Sequence, residues 1–335
     1  MKKQLIFLMF ILWAACTPKD LNVSEVSSPA YEPLPSWNEG ASKTAILDFI
    51  QKTTTESSPD FIQEADRIAV FDNDGTLWSE QPIYFQLAFA IDEIKRMAPE
   101  HPEWKTQAPF SSLLEGDMSG FLAGGEQAVA QLMLTTHASM TTEEFDKYVK
   151  SWIETATNPK TGKLYKEMIF QPMLELLDHL RANGFKTFIV SGGGIDFMRA
   201  WTEEAYGIPP YQVVGSIGGL GYEMEGDKPV LRKMPESIFN DDKGGKPIGI
   251  ARSIGKRPVF AAGNSDGDYE MLQYTSTGPG SRFGMIVHHT DSLREVAYDR
   301  DSHIGRLNKG LDDASKYNWL IVDMQKDWKQ IYPKD

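Results

Sequence analysis

One cysteine, Cys16, in 335 residues excludes an intramolecular disulfide framework. Positive charge is also in short supply. Lys and Arg number 34 against 47 Asp and Glu, and the formal net charge of -13 excludes broad electrostatic attraction to nucleic acid or anionic lipid. A local cationic pocket for a small anion remains compatible with that balance. No internal repeat is evident, and residues 17–42, rich in Ser, Pro, Asn and Glu, show no sustained period of 2 or 3.6, which reads as a flexible tether. What is present, 41% hydrophobic and 24% charged residues over this length, suffices for a sizeable core, as one domain with an insertion or as two.

The N-terminus, MKKQLIFLMFILWAAC, joins two lysines, an apolar run over residues 5–13 and small residues before Cys16, the pattern of a bacterial secretion signal. Because Cys16 directly follows Ala14 and Ala15, residues 1–16 resemble a lipoprotein signal, in which that cysteine is lipidated and becomes the mature N-terminus. Trp13 departs from the aliphatic residue usual three positions before the cysteine. The expectation is a lipoprotein of the bacterial cell envelope that faces the periplasm and meets the membrane only through its N-terminal lipid. An ordinary signal peptide or an uncleaved anchor is the alternative.

After a first helix over residues 43–52, Ile68 to Phe71 form a continuous apolar run bounded by charged and turn residues, the mark of a buried parallel strand. The stretch RIAVFDNDGTLWSEQP then runs straight into Asp72, Asn73, Asp74, Gly75 and Thr76. Two carboxylates so close at the end of a buried strand repel each other and lose hydration, so their placement calls for a compensating partner. Residues 84–97, 125–134 and 142–156 carry helix-like apolar spacing without an intervening strand, which predicts a helical insertion. Helix and strand then alternate. Strands over 185–190, 258–262 and 283–287 are expected to pair in parallel with 68–71, giving a doubly wound α/β sheet that binds ligands beyond its C-terminal strand ends. GYEMEGDKPVLRK reads as a small hairpin turning at Gly226 and Asp227.

Three of these strands end in polar groups suited to one chemistry. The first ends in Asp72 and Asp74, the second in Ser191 followed by Gly192, Gly193 and Gly194, the third in Gly263, Asn264, Ser265, Asp266, Gly267 and Asp268. Glycine-rich turns feeding helices present backbone N–H groups to phosphate oxygens, and an oxygen-only set of clustered carboxylates suits Mg2+. Carboxylates, Mg2+, a hydroxyl and a lysine together describe a phosphoryl-transfer site.

With these residues in place, the stretch from Arg67 to about Ile304 resembles the haloacid dehalogenase (HAD) superfamily of phosphatases. FDNDGTLW matches the first motif, IVSGG the second, a lysine before a helix the third and GNSDGDYEML the fourth. The resemblance implies a Rossmann-like core over 43–80 and 185–335, with residues 81–184 as a helical C1 cap and its return helix. It also implies that Asp72 is the nucleophile that forms an aspartyl-phosphate, and that Asp74 is the general acid and base whose backbone carbonyl helps hold Mg2+. Relatives that displace halide from carbon usually lack the second aspartate, which favours a phosphatase. Thr76, Ser191 and Gly192 would contact phosphate oxygens.

For the third motif, NDDKGGKPIGI offers Lys243 and Lys246. Pro247 suits the first turn of a helix over 247–254, which favours Lys246 as the residue that neutralises nucleophile and phosphoryl charge. The fourth motif departs from the pattern: aligned on Met271 and Leu272, Asn264 stands where the first metal-binding aspartate is usual, and Asp268 where the second is. Either Asn264 ligates Mg2+ with Asp268 behind it, or the loop brings Asp266 to the metal, Asp266 serving otherwise as a helix cap.

The helical insertion and SGGGIDFMRAW are similar to the phosphoserine phosphatase subfamily, and such a lid suits a small phosphorylated metabolite. Trp78, Glu80 and Tyr84 follow the first motif, where they would face the leaving group or pack in the cap. Glu80 would meet an amino group and Trp78 a quaternary ammonium, so phosphoserine and phosphocholine both stay open. His288 and His289 end a strand and are not expected to act in catalysis. The leading expectation is Mg2+-dependent hydrolysis of a small phosphomonoester; the alternatives are a non-catalytic phosphate-ester binding lipoprotein, or a phosphotransferase or mutase.

Overall fold

The computed structural model describes residues 32–333. Its strands are β1 (Ile68–Phe71), β2 (Lys186–Gly194), β3 (Val213–Glu225), β4 (Lys228–Phe239), β5 (Phe260–Gly263), β6 (Phe283–His288) and β7 (Leu320–Asp323). They form one seven-stranded sheet in the order β4-β3-β2-β1-β5-β6-β7, in which only the β3–β4 pair is antiparallel. Helices flank it, so the fold is the α/β, largely parallel, doubly wound sheet expected from the alternation of elements.

Burial on both faces explains why β1 is apolar throughout. Side chains alternate across a strand, and here the alternation divides the core in two. Ala69 and Phe71 pack with Ile46 and Phe49 of the helix Ala41–Thr54 and with Leu176 and Leu177 of the helix Gln171–Ala182. Ile68 and Val70 pack on the other face with Ile250 of the helix Gly245–Ser253 and Leu272 of the helix Tyr269–Ser276. From β1 the chain steps outward to β2 and β3, then returns to β5 on the other side of β1. That reversal opens a crevice at the C-terminal ends of β1 and β5, where ligands bind in open α/β sheets.

Between β1 and the helix Gln171–Ala182 lie the helices Phe85–Met97, Phe110–Glu115, Met118–Ala123, Gly125–His137 and Thr142–Thr155. They have a core of their own, with Leu87, Ile94, Trp104, Phe121 and Leu132 buried together. The two six-residue helices are not expected from sequence, because fewer than two turns do not establish a 3.6-residue period.

Four sequence expectations need correction. Residues 33–42 are not tether: Leu34, Ser36 and Trp37 are buried, the Trp37 indole donates to the Pro172 carbonyl at 2.9 Å, and the first helix begins at Ala41. The small hairpin is the outer part of a long one, because β3 first runs parallel to β2 and then turns out with β4 as an antiparallel arm. That arm braces the helical insertion, where Ser139 N–H donates to the Lys233 carbonyl at 2.9 Å and Lys233 N–H to the Met140 carbonyl at 2.9 Å. The helix expected over 247–254 spans Gly245–Ser253, so Lys246 lies within its first turn and not just before it. Finally, β7 adds an edge strand beside β6. The signal over residues 1–16, Cys16 included, and the tether over 17–31 lie outside the described residues. Among the described residues no helix is long and apolar enough to cross a membrane.

Candidate active site

Strand pairing sets the first site residue. The Asp72 N–H continues the β1–β5 ladder by donating to the Ala262 carbonyl at 2.9 Å, which holds the Asp72 side chain at the mouth of the crevice. The chain then folds back tightly: Gly75 N–H donates to the Trp78 carbonyl at 2.8 Å and Leu77 N–H to the Asn73 carbonyl at 2.8 Å. Gly75 makes this turn possible twice over. Its φ is +73°, and a Cβ there would lie 2.0 Å from Asn264 Nδ2.

Lys246 settles which lysine meets the carboxylates. Its ammonium, buried under the sheet ends, donates to Asp72 Oδ1 at 2.6 Å, to Asp268 Oδ1 at 2.5 Å and to the Val190 carbonyl at 3.0 Å. Lys243 is exposed. Burial alone would lower the Lys246 pKa, but the carboxylates of Asp268 and Asp72 outweigh it and hold the ammonium above its ordinary value. The other Asp268 oxygen accepts the backbone N–H groups of Asn264 at 2.9 Å and Ser265 at 3.0 Å. Asp268 therefore anchors the loop and the lysine, behind Asn264. Asp72 Oδ2 accepts no hydrogen bond among the described residues, and burial, reinforced by the charge of Asp268, pushes the Asp72 carboxyl well above the usual range.

Two residues on, Asp74 is only partly buried, and its Oδ1 accepts from the Trp78 indole at 2.9 Å. Burial pushes its carboxyl up to about 6, against the opposing effect of the Trp78 N–H. Trp78 itself is fully buried, stacked on Trp201 at 4.2 Å between ring centroids and met edge-on by Phe85 at 4.6 Å. A ring covered in this way offers no face to a quaternary ammonium, so Trp78 is corrected from substrate contact to support for Asp74.

Glu80 is corrected too. It faces inward, where its Oε1 accepts from Asn264 Nδ2 at 2.7 Å and from the Tyr298 hydroxyl at 2.7 Å. Burial raises its pKa well above the ordinary value, and the charges of Asp74 and Asp72 add to that. Thr76, also fully buried, donates to Asn264 Oδ1 at 3.2 Å, so its hydroxyl serves Asn264 and is not open to a phosphate oxygen. Asp266 points away from the crevice. Its carboxylate accepts the backbone N–H groups of Asn308, Lys309 and Gly310, capping the helix Lys309–Tyr317, which removes it from the expected metal set.

Ser191 and Gly192 end the regular part of β2 beside this cluster. Ser191 is buried and its Oγ accepts from Gly193 N–H at 3.1 Å, while Gly192 is exposed. Gln86, from the inserted helices, reaches across to accept from Gly194 N–H at 2.7 Å, which ties the insertion to the same strand end. Tyr84 is 40% exposed, and burial of its hydroxyl with the nearby Glu80 charge holds its pKa above the ordinary value. Of the two histidines, His289 is the one at the site: its Nε2 donates to the Gly75 carbonyl at 2.7 Å and its ring stacks on Tyr298 at 4.3 Å. Sequence reasoning misses Gln86, Tyr298 and the contact of His289, and no local motif flags them.

Among the described residues no three His, Cys, Asp or Glu side chains form a metal cage by themselves. The groups that could hold a cation are a mixed set, the Asp72 carboxylate, the Asp74 backbone carbonyl and the Asn264 side-chain carbonyl, all oxygen and of the kind that suits Mg2+. The charge balance agrees with a divalent cation. Carboxyl groups of Asp72, Asp74, Glu80 and Asp268 share this region with the ammonium of Lys246, and burial first, then the neighbouring carboxylates, raise the pKa values of Asp72 and Glu80.

Comparison with known proteins gives the family. None of the curated proteins matches the chain. Among solved structures, it is similar to a protein of unknown function from Bordetella pertussis Tohama I, at 15% identity over 77% of this chain and 98% of that one, with a TM-score of 0.47. A functionally unknown protein from Anaerococcus prevotii DSM 20548 shares 18% identity over 74% and 85% of the two chains, with a TM-score of 0.44. A probable phosphoserine phosphatase from Vibrio cholerae shares 15% identity over 73% and 65%, with a TM-score of 0.36. Residues 69–273, well over half of the chain and every residue gathered around Lys246 from Asp72 to Asp268, match the haloacid dehalogenase-like hydrolases, and the chain belongs to that family.

Proposed function

We propose that the chain hydrolyses a small phosphomonoester through an aspartyl-phosphate on Asp72. One observation carries the reading: Lys246 grips one oxygen of Asp72 at 2.6 Å while the other accepts no hydrogen bond among the described residues, two residues before a carboxyl raised to about 6. A carboxylate held by one oxygen presents the other for in-line attack on phosphorus. As the phosphorus–oxygen bond to the alcohol breaks, Asp74 gives its proton to the leaving oxygen. It then takes a proton from the water that attacks the aspartyl-phosphate, which releases inorganic phosphate and restores Asp72.

Asp72, the Asp74 backbone carbonyl and Asn264 would hold Mg2+, which when bound supplies the charge neutralisation that lets a phosphate dianion approach a carboxylate. Ser191, with a hydroxyl proton to give, and the exposed backbone of Gly192 would bind the non-transferring phosphate oxygens. The Gln86 contact to Gly194 supports a lid over the strand ends, hence a small substrate. Incubation of the chain with Mg2+ and a panel of small phosphate esters tests the reading, with Asp72→Asn as control. Phosphate release from at least one ester is expected, and none above the control would refute it.

We further propose that the mature chain is held at the periplasmic face of a bacterial membrane by a lipid on Cys16, supported by the sequence of residues 1–16. Fractionation of the parent chain against Cys16→Ser is the test. The parent is expected with membranes, and a soluble parent contradicts the anchor.

A further inference from the structure

The residue that follows β5, at the proposed Mg2+ site, is an amide, and the side chain that accepts its N–H is a buried carboxylate. Asn264 receives the Thr76 hydroxyl on Oδ1 at 3.2 Å and gives its Nδ2–H to Glu80 Oε1 at 2.7 Å. The Tyr298 hydroxyl donates to the same Glu80 oxygen at 2.7 Å. Both Glu80 contacts come from donors, so the oxygen between them is an acceptor, and Glu80 is 2% exposed. The fit is close on every side: a Cβ on Gly75 would fall 2.5 Å from Glu80 Oε1, and one on Gly305 1.8 Å from it.

From this geometry we infer that Asn264 and Glu80 act as a split carboxylate, Asn264 supplying the oxygen that meets Mg2+ and Glu80 the negative charge behind it. The inference rests on the proposed Mg2+ site. An amide whose N–H is bonded to a carboxylate gains electron density on its oxygen, much as a metal-bound histidine does when its second nitrogen donates to a carboxylate. A plain asparagine at this position would leave the cation with one charge fewer than an aspartate would provide. Glu80 is thus a positioning residue that acts through Asn264. It comes to that place from the loop after β1, whereas Asn264 follows β5, so the pair also locks the two sides of the crevice together.

The inference predicts a charge swap. Mn2+, standing in for Mg2+, is titrated into the purified chain and counted by the electron paramagnetic resonance of the free ion, with Mg2+ added in competition. Glu80→Gln is expected to weaken metal binding by about 10- to 100-fold, the range for lost partners of metal ligands. Asn264→Asp alone is not expected to tighten it, since two carboxylates then face each other at hydrogen-bond distance. The double variant Glu80→Gln/Asn264→Asp, with the charge moved onto the ligand itself, is expected to recover at least the parent affinity.

Unchanged affinity in Glu80→Gln overturns the inference, as does a double variant no better than Glu80→Gln, or Asn264→Asp alone binding as tightly as the double. Melting in EDTA reads any loss of folding separately, and because Glu80→Gln is common to the single and the double variant, their comparison survives such a loss. A parent chain that binds no metal overturns the inference as well. Phosphate release from the ester panel is scored independently, so failure of the split carboxylate and failure of the phosphatase reading give different results.

Discussion

The Trp78 indole donates to Asp74 Oδ1 across 2.9 Å, from four residues further along the same chain, while Trp201 and Phe85 hold the ring in place. The tryptophan after the first motif is therefore a fixed hydrogen-bond donor to the carboxyl proposed as acid and base. Hydrogen bonding to the charged form favours it, so this N–H opposes the burial that raises Asp74 to about 6.

Trp78→Phe keeps the stacked ring and removes the donor. A hydrogen bond to a charged group is worth about 1.5–3 kcal/mol, which corresponds to a further rise in the Asp74 pKa of about 1 or more. The limb of the pH–rate profile that reports Asp74 is expected to move to higher pH by that amount. The profile of phosphate release against pH is the measurement. A superimposable profile would show that the contact is packing only.

Lys246→Met leaves Asp72 and Asp268, now 2.6 and 2.5 Å from a cation, without it. Breaking a buried ion pair by deleting one partner costs about 3–5 kcal/mol, because a buried charge is left uncompensated. Chemical denaturation in EDTA should reveal a loss of that size, together with at least about a 100-fold fall in phosphate release. Lys243→Met, at an exposed position, should leave both nearly unchanged. Equal effects of the two substitutions would contradict the assignment.

The parts of this site that can be read from sequence are those whose cause is local. Asp72 and Asp74 are legible because an apolar run and a turn sit side by side in RIAVFDNDGT, and the burial of all four β1 residues makes the same point in space. Lys246 is favoured through its proline neighbour. Glu80 is misread because its partners, Asn264 and Tyr298, lie 184 and 218 positions away, and no periodicity encodes such a contact. Asp266 looks like a metal ligand because its spacing gives no sign that a helix 42 residues later needs a cap. The long arm of β3 and β4 is hidden by exposure on its outer part, which removes the apolar alternation that marks a half-buried strand.

Trp37 shows the same limit at the other end of the chain. Among Pro and Ser it looks like part of a tether, yet it is fully buried, bonded to Pro172 and packed edge-on against Trp328 at 5.9 Å. Trp37→Ala is expected to destabilise the fold by about 3–5 kcal/mol through loss of buried area and the cavity left behind. Urea denaturation measures it, and a change within about 0.5 kcal/mol, typical of surface positions, would contradict the packing described.

Asp241 gives a test that depends on pH alone. Both of its carboxylate oxygens are buried without a hydrogen-bond partner among the described residues, and it lies fully covered just before the helix that carries Lys246. Burial raises its pKa from an ordinary 3.8 to about 7, with the Lys246 charge opposing. A carboxyl raised on folding is protonated in the native state and favours folding below 3.8; as pH climbs towards about 7 the unfolded chain releases its proton first, and stability is lost across that window. Asp241→Asn removes the titration while keeping the shape. Relative to the Asp241→Asn variant, the parent should lose roughly 2–4 kcal/mol between about pH 4 and pH 8, with the change flattening above the folded pKa. Parallel stability curves for the two proteins across that range would mean that Asp241 finds a partner or water in solution, and the opposite slope would require a pKa lowered on folding.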